Sequence, residues 1–234
     1  MRITLQKQDL LVVDDCLPTA AFAGICAAVD NGEYHSVHAR RWDRAWRLWD
    51  GAPLRGRSVH YDPGGVLAPG AVNYPTCGVV DDFIDTVREI TRKYPTVAGS
   101  EGVDWLAMFL SPWLYPIGSA LSMHRDGGAY SGAFTYFAHR TWRLHWGGEL
   151  LVLDDPPDDD GDPSVRSTTP QELDRAAWLS EDYDDFSTGI ATCVFPRPNR
   201  LVLLGPARPH TIRRVDPNAG AHVRASLAGF FVRR

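Results

Sequence analysis

The stretch Tyr115-Pro116-Ile117-Gly118-Ser119-Ala120-Leu121-Ser122-Met123-His124-Arg125-Asp126-Gly127-Gly128 holds the triplet on which the reading of this chain turns. In His124-Arg125-Asp126 a single residue separates an imidazole from a carboxylate. On an extended strand that spacing puts both side chains on one face, because side chains alternate with a period of two. A distant His can complete the pair into a face of two imidazoles and one carboxylate. That donor set suits Fe(II) and leaves positions open for a bidentate co-substrate and O2. A second triplet, His60-Tyr61-Asp62, runs into Pro63-Gly64-Gly65 with no alternating pattern before it. It is expected to form a turn, not a ligand set.

Outward from the first triplet, the texture is that of a β protein. Short apolar runs at 105–110, 133–138, 149–153, 190–195, 201–204, 210–215 and 223–232 are separated by Gly, Pro and Asp clusters. Seven such runs predict a sandwich or barrel. No fixed period recurs, which excludes solenoids and propellers. The first 104 residues read as mixed support. Residues 1–5 alternate like a strand, and 8–13 form an apolar run closed by Asp14-Asp15. Pro18-Thr19 opens a helix through Val29, and 81–94 carries Phe83, Ile84, Val87 and Ile90 at helical spacing until Pro95 stops it. The chain is therefore expected to be one domain over 1–234, with a core at 105–234 interrupted by an acidic, Pro-rich insertion at 154–189. That insertion, with a helical segment near 170–179, is expected to be a solvated loop or a lid. Trp42, Trp46 and Trp49, flanked by Arg40, Arg44 and Arg47, are expected on one helical face, as a packed stripe with a solvated edge or as a wall of the substrate site.

Composition narrows the function. The 234 residues are 44% hydrophobic and 23% charged with a formal net charge of −5, which argues against bulk binding to nucleic acid or anionic membrane. The longest apolar stretch, 20–29, is half of what a bilayer span needs. The N-terminus lacks the pattern of a signal peptide, so a cytoplasmic location is expected. The four Cys residues are scattered without a C-x-x-C pair, which indicates neither a zinc knuckle nor a disulfide framework.

Tyr115-x-x-Gly118-x5-His124-x-Asp126 is followed in order by Trp146-Gly147-Gly148-Glu149-Leu150, Pro198-Asn199-Arg200-Leu201, His210-Thr211-Ile212 and Arg224-Ala225-Ser226-Leu227. This series resembles the iron(II)- and 2-oxoglutarate-dependent oxygenases, specifically their prolyl-4-hydroxylase-like branch, over residues 105–234. The resemblance implies a double-stranded β-helix (a jelly roll, cupin-like, mainly β within an α+β chain) buttressed by N-terminal helices. It implies His124, Asp126 and His210 as Fe(II) ligands, with 2-oxoglutarate and O2 as co-substrates. It also implies Arg224 at the distal carboxylate of 2-oxoglutarate, Ser226 as its hydroxyl companion and Tyr115 as a further hydrogen-bonding partner. The fork of an Arg matches a carboxylate bidentately, and residues 224 and 226 share one face of a strand. The fourteen-residue gap from His210 to Arg224 is longer than the family's usual one, with a widened turn at 217–220 to absorb the excess, and leaves Arg213 and Arg214 as rival anchors.

The activity so implied is oxidation of an unactivated C–H bond of a small molecule, such as an amino acid or a natural-product intermediate. A protein prolyl hydroxylase and a non-catalytic jelly-roll binding module are the alternatives. The carboxylate at 126 occupies the position that related halogenases keep small for chloride. Phe230 stands where nucleic-acid demethylases of this class carry a second Arg. Arg125, His139, Trp142, His145 and Trp146 are the candidates for substrate contact.

Overall fold

Leu201-Val202-Leu203-Leu204 has an apolar side chain at every position, and all four are buried. Such a strand must be covered on both faces, and the architecture supplies both covers. The computed structural model describes residues 1–37, 47–67, 72–154 and 189–233. The first half contains β1 (Arg2–Gln6), β2 (Leu10–Asp14), α1 (Thr19–Asp30), β3 (Tyr34–Ser36), β4 (Leu54–Gly56), β5 (Val59–Tyr61), β6 (Val72–Asn73), α2 (Val79–Lys93) and α3 (Pro95–Ala98). The second half contains β7 (Trp105–Tyr115), β8 (Leu121–His124), β9 (Tyr130–Phe137), β10 (Leu150–Leu153), β11 (Ala191–Val194), β12 (Leu201–Leu204), β13 (His210–Ile212) and β14 (Arg224–Arg233).

Among the described residues these strands form two sheets. The larger runs β1-β2-β12-β9-β14-β7-β4-β3, with β5 also paired to β7 and β6 to β5; the smaller runs β11-β10-β13-β8. The pairings are antiparallel except β5 with β6. The two sheets face each other as a jelly roll. Leu10, Val12, Val202 and Leu204 point between the sheets, toward Leu121, Leu150, Val152 and Ile212. Leu11, Val13, Leu201 and Leu203 point the other way, onto Ile25 and Val29 of α1 and Phe83, Ile84, Val87 and Ile90 of α2. The period of two thus divides each central strand between two cores.

α2 begins two residues ahead of the expected 81. Asp81 lies in its first turn, where its carboxylate accepts from the Thr76 amide at 2.9 Å, and Arg92 and Lys93 occupy the last turn. Both ends therefore complement the helix dipole. Pro95 stops α2 as expected and also starts α3, a position that suits a residue without an N–H.

The first 104 residues do more than buttress. β1 and β2 extend one edge of the large sheet and β3 to β6 extend the other. β3 to β6 and β8 lie outside the expected runs because each has only two to four residues. The expected turn at 60–62 is half right. His60 belongs to β5, while Asp62 caps the turn by accepting from the Val66 and Leu67 amides. Of the Trp stripe only Trp49 falls among the described residues, in a 3-10 turn at Leu48–Asp50. Residues 155–188 of the acidic insertion, with the helix expected near 170–179, also lie outside them. No described helix is long and apolar enough to cross a membrane.

Candidate metal centre

β8 and β13 pair so that His124 lies directly opposite His210. The Nδ1 of His124 donates to the Ser122 carbonyl at 2.8 Å, and that of His210 donates to the Arg208 carbonyl at 2.8 Å. A carbonyl can only accept, so in each ring the proton is on Nδ1 and the lone pair on Nε2. Both lone pairs meet one carboxylate. His124 Nε2 is 3.6 Å from Asp126 Oδ1, and His210 Nε2 is 3.9 Å from Asp126 Oδ2. Within 4.8 Å of one another these residues offer three ligand atoms. Two atoms each about 2.1 Å from a shared ion lie roughly 3–3.5 Å apart, so only a small contraction closes the set. Burial, followed by the proximity of His210, pulls the His124 pKa down to about 4, which keeps the ring neutral and ready to ligate. β8 is itself held in place. Ser122 donates to Asp50 Oδ1 at 2.7 Å and accepts from Trp49 Nε1 at 2.9 Å.

Arg224 opens β14 and is fully buried. Its Nε donates to the Gly148 carbonyl at 2.8 Å and its Nη1 reaches Ser226 Oγ at 3.4 Å. The guanidinium lies over the rings of Phe137 and Tyr115, 4.9 and 5.2 Å from their centroids. Nη2 is buried and has no hydrogen-bond partner among the described residues. Burial lowers the pKa of Arg224 to about 10, against the weaker opposing pull of Tyr115 and Glu149. A buried cation with an open donor carries a desolvation cost that an anionic partner would offset. Gly148 makes room for it. At φ +73 a Cβ there would stand 2.8 Å from Arg224 Cδ, which explains the second glycine of Trp146-Gly147-Gly148. Arg213 and Arg214, the rival anchors, are exposed, and Arg214 is bound to the Trp49 and Gly118 carbonyls.

The expected substrate cluster lies elsewhere. His139 donates from Nε2 to the Pro196 carbonyl at 2.8 Å, and its Nδ1 accepts from the Ala225 amide at 3.3 Å. Both nitrogens are thus occupied by backbone. Burial takes its pKa down to about 4. Trp142 stacks near His139 and donates to the Gly147 carbonyl, Trp146 lies on His222, and His145 is exposed. Trp142 packs against Gly148, and among the described residues no hydrogen bond, ion pair or ring contact joins this group to His124, Asp126 or His210. Arg125, between the two ligands, reaches the Ala207 carbonyl at 3.4 Å.

What sequence reasoning missed is the floor. Residues opposite one another in an antiparallel pair share a face. β14 and β7 match Arg224 with Tyr115, Ser226 with Trp113, Ala228 with Ser111 and Phe230 with Phe109. β4 adds Arg55 beside Trp113, and β5 adds His60 beside Phe109. All these side chains therefore lie on the sheet face that looks toward β8 and β13. Pairing between strands fifty residues apart leaves no local signal, so periodicity could not reveal it.

No protein-family model matches the chain, and no curated protein matches it in sequence. Similarity appears in solved structures. A prolyl-4-hydroxylase from Pseudomonas putida is 17% identical with a TM-score of 0.57, over 97% of this chain and 93% of that one. A 2OG-Fe(II) oxygenase family oxidoreductase from Burkholderia pseudomallei is 17% identical with a TM-score of 0.56, over 100% and 94%. The non-haem α-ketoglutarate-dependent epimerase SnoN, from nogalamycin biosynthesis, is 12% identical with a TM-score of 0.52, over 95% and 78%. At these identities the likeness establishes the fold, and the residues must carry the chemistry.

Proposed function

We propose that this chain is an Fe(II)- and 2-oxoglutarate-dependent oxygenase acting on a small molecule, an amino acid or a natural-product intermediate. The observation that carries the reading is the unpartnered Nη2 of the buried Arg224, on the sheet face turned toward the lone pairs of His124 and His210. A metal-binding module alone has no use for a desolvated guanidinium. A dicarboxylate that chelates at one end and pairs at the other accounts for both.

His124, Asp126 and His210 would hold the ion, at which O2 would supply the oxidising equivalents and 2-oxoglutarate, lost as succinate and CO2, two of the four electrons that O2 takes up. The protein's own work is placement. The carbonyls of Ser122 and Arg208 fix the imidazole tautomers, so neither ring spends a proton on ligation. Arg224 presents a fork for the distal carboxylate, steered by Gly148 and Ser226 and walled by Tyr115 and Phe137. The apolar surround, from Leu121, Val152 and Ile212, keeps water from competing for that fork. The likeness to a natural-product epimerase and to prolyl hydroxylases is compatible with hydroxylation and with other outcomes of C–H cleavage.

The test is anaerobic titration of the protein with Fe(II) and then 2-oxoglutarate, followed by admission of O2. A weak visible charge-transfer band should appear, succinate should form slowly even without a prime substrate, and Asp126→Ala should lose both. Absence of the band and of succinate in the wild-type protein would overturn the proposal.

A further inference from the structure

The face that carries Arg224 carries a second guanidinium, and nothing in the proposed chemistry yet uses it. Arg55 on β4 is half-buried. Its Nε and Nη2 donate to Ser111 Oγ at 3.1 and 3.0 Å, Nη2 also reaches Ser58 Oγ at 2.8 Å, and the cation lies 5.6 Å from the Trp113 ring centroid. These partners are neutral. Among the described residues no carboxylate lies within ion-pair distance of Arg55, and Nη1 has no hydrogen-bond partner. Trp113 stacks on Tyr115 at 6.3 Å, so the order across the face is Arg55, Trp113, Tyr115, Arg224. The two cations differ in access, since Arg224 is sealed and Arg55 is reachable.

Around Arg55 the floor is aromatic. Tyr130 stacks on Phe230 at 4.5 Å, Phe230 meets Phe109 at 5.2 Å, and His60 lies 6.1 Å from Phe109. Tyr130 ties this floor to the candidate ligands, because its amide donates to the carbonyl of Gly127, the neighbour of Asp126, at 3.2 Å. The Tyr130 hydroxyl has no hydrogen-bond partner among the described residues. The surface between Arg55 and the ligand set thus combines one uncompensated cation, one open hydroxyl and a pair of ring faces.

Resting on the oxygenase reading, we infer that this floor is the prime-substrate site and that the substrate is a carboxylic acid with a planar or apolar body, its carboxylate held by Arg55. A carboxylate would accept a charge-assisted hydrogen bond from Nη1, the guanidinium nitrogen that the two serine hydroxyls leave open. Its body would lie on Phe109, Phe230 and Tyr130, with a C–H bond turned toward Asp126 and the two histidines. Arg55 is a binding residue in this account and takes no part in the oxidation.

The experiment uses the full chain loaded anaerobically with Fe(II) and saturating 2-oxoglutarate, so that Arg224 is already occupied. Phenylacetate, phenylphosphonate and the neutral phenylacetamide are titrated by calorimetry into wild type, Arg55→Met and Arg55→Lys. Phenylacetate should bind at least tenfold more tightly than the amide, Arg55→Met should erase that preference, and Arg55→Lys should keep part of it. Equal binding of acid and amide, or an acid preference that survives in Arg55→Met, overturns the inference. Tighter binding of the phosphonate than of the acetate overturns the carboxylate assignment. The two readings fail separately: absence of the charge-transfer band removes the oxygenase reading, while loss of the acid-over-amide preference with the band present removes the Arg55 assignment alone.

Discussion

Replacing Arg224 with Met should make the protein more stable and its co-substrate binding worse. The guanidinium is fully buried and its pKa is lowered from the usual arginine range to about 10, chiefly by loss of water. Because the folded chain holds that proton less tightly than the unfolded chain, the penalty applies at every pH below about 10. At about 1.4 kcal/mol per tenfold it amounts to roughly 3 kcal/mol. Met has similar length and no charge, so the penalty vanishes. Against this, the Gly148 carbonyl and Ser226 hydroxyl lose a donor, at about 1 kcal/mol for a typical hydrogen bond, and a weak attraction to Glu149 goes. The net should be a gain of about 1–2 kcal/mol, within the range seen when buried ions are replaced by packed apolar groups. For a domain of this size that raises Tm by roughly 2–8 °C. Affinity for 2-oxoglutarate should fall by about 2–5 kcal/mol, between roughly thirty-fold and several-thousand-fold. Urea unfolding of the metal-free protein and calorimetric titration of 2-oxoglutarate read the two effects separately. A variant that is less stable by more than about 1 kcal/mol, or one that binds 2-oxoglutarate as wild type does, would refute the claim that Arg224 is an anion site held in waiting.

Two further outcomes follow from the same region. His139 is buried neutral with a pKa of about 4, below its unfolded value of about 6.5, so the unfolded chain takes up the proton first as pH falls. Its stabilisation is complete above pH 6.5 and drains away toward pH 4; wild type should lose about 2–3 kcal/mol more than His139→Gln between pH 7 and 4, and parallel urea midpoints would count against this. Gly148→Ala places a Cβ at 2.8 Å from Arg224 Cδ on a backbone with φ +73, so it should lower stability by about 1–3 kcal/mol and weaken 2-oxoglutarate binding in the same calorimetric assay. Retention of wild-type affinity would show that Arg224 tolerates displacement.

The sequence exposed most of the site through short-range chemistry. His124 and Asp126 are two residues apart, which marks them as a candidate pair, and the resemblance of the ordered phrases to the iron(II)- and 2-oxoglutarate-dependent oxygenases added His210. Arg224 and Ser226 were readable for a similar reason, because a charged residue inside an otherwise apolar strand demands a partner. The long apolar runs at 105–110 and 201–204 likewise became β7 and β12. What remained hidden depends on pairing. Leu54-Arg55-Gly56 is three residues long, and only its alignment with Trp113 places Arg55 on the face turned toward His124 and His210. β8 escaped for a related reason, since Ser122 and His124 interrupt the apolar pattern that marks strands. The density of rings and charges at 139–146 drew attention for its composition, yet the backbone carbonyls of Pro196 and Gly147 claim its polar atoms.

β14 serves two layers with alternate residues: Arg224, Ser226, Ala228 and Phe230 line the face turned toward β8 and β13, while Ala225, Leu227 and Phe231 key into the helical side. Its reading frame is therefore a functional coordinate. A single-residue insertion in the strand would turn the guanidinium toward α1 and α2 and present a leucine to the side of β8 and β13. An insertion of the same size in the turn at Pro217–Ala219 would leave every side chain facing as before. Length can drift in this segment only where the chain is not yet paired.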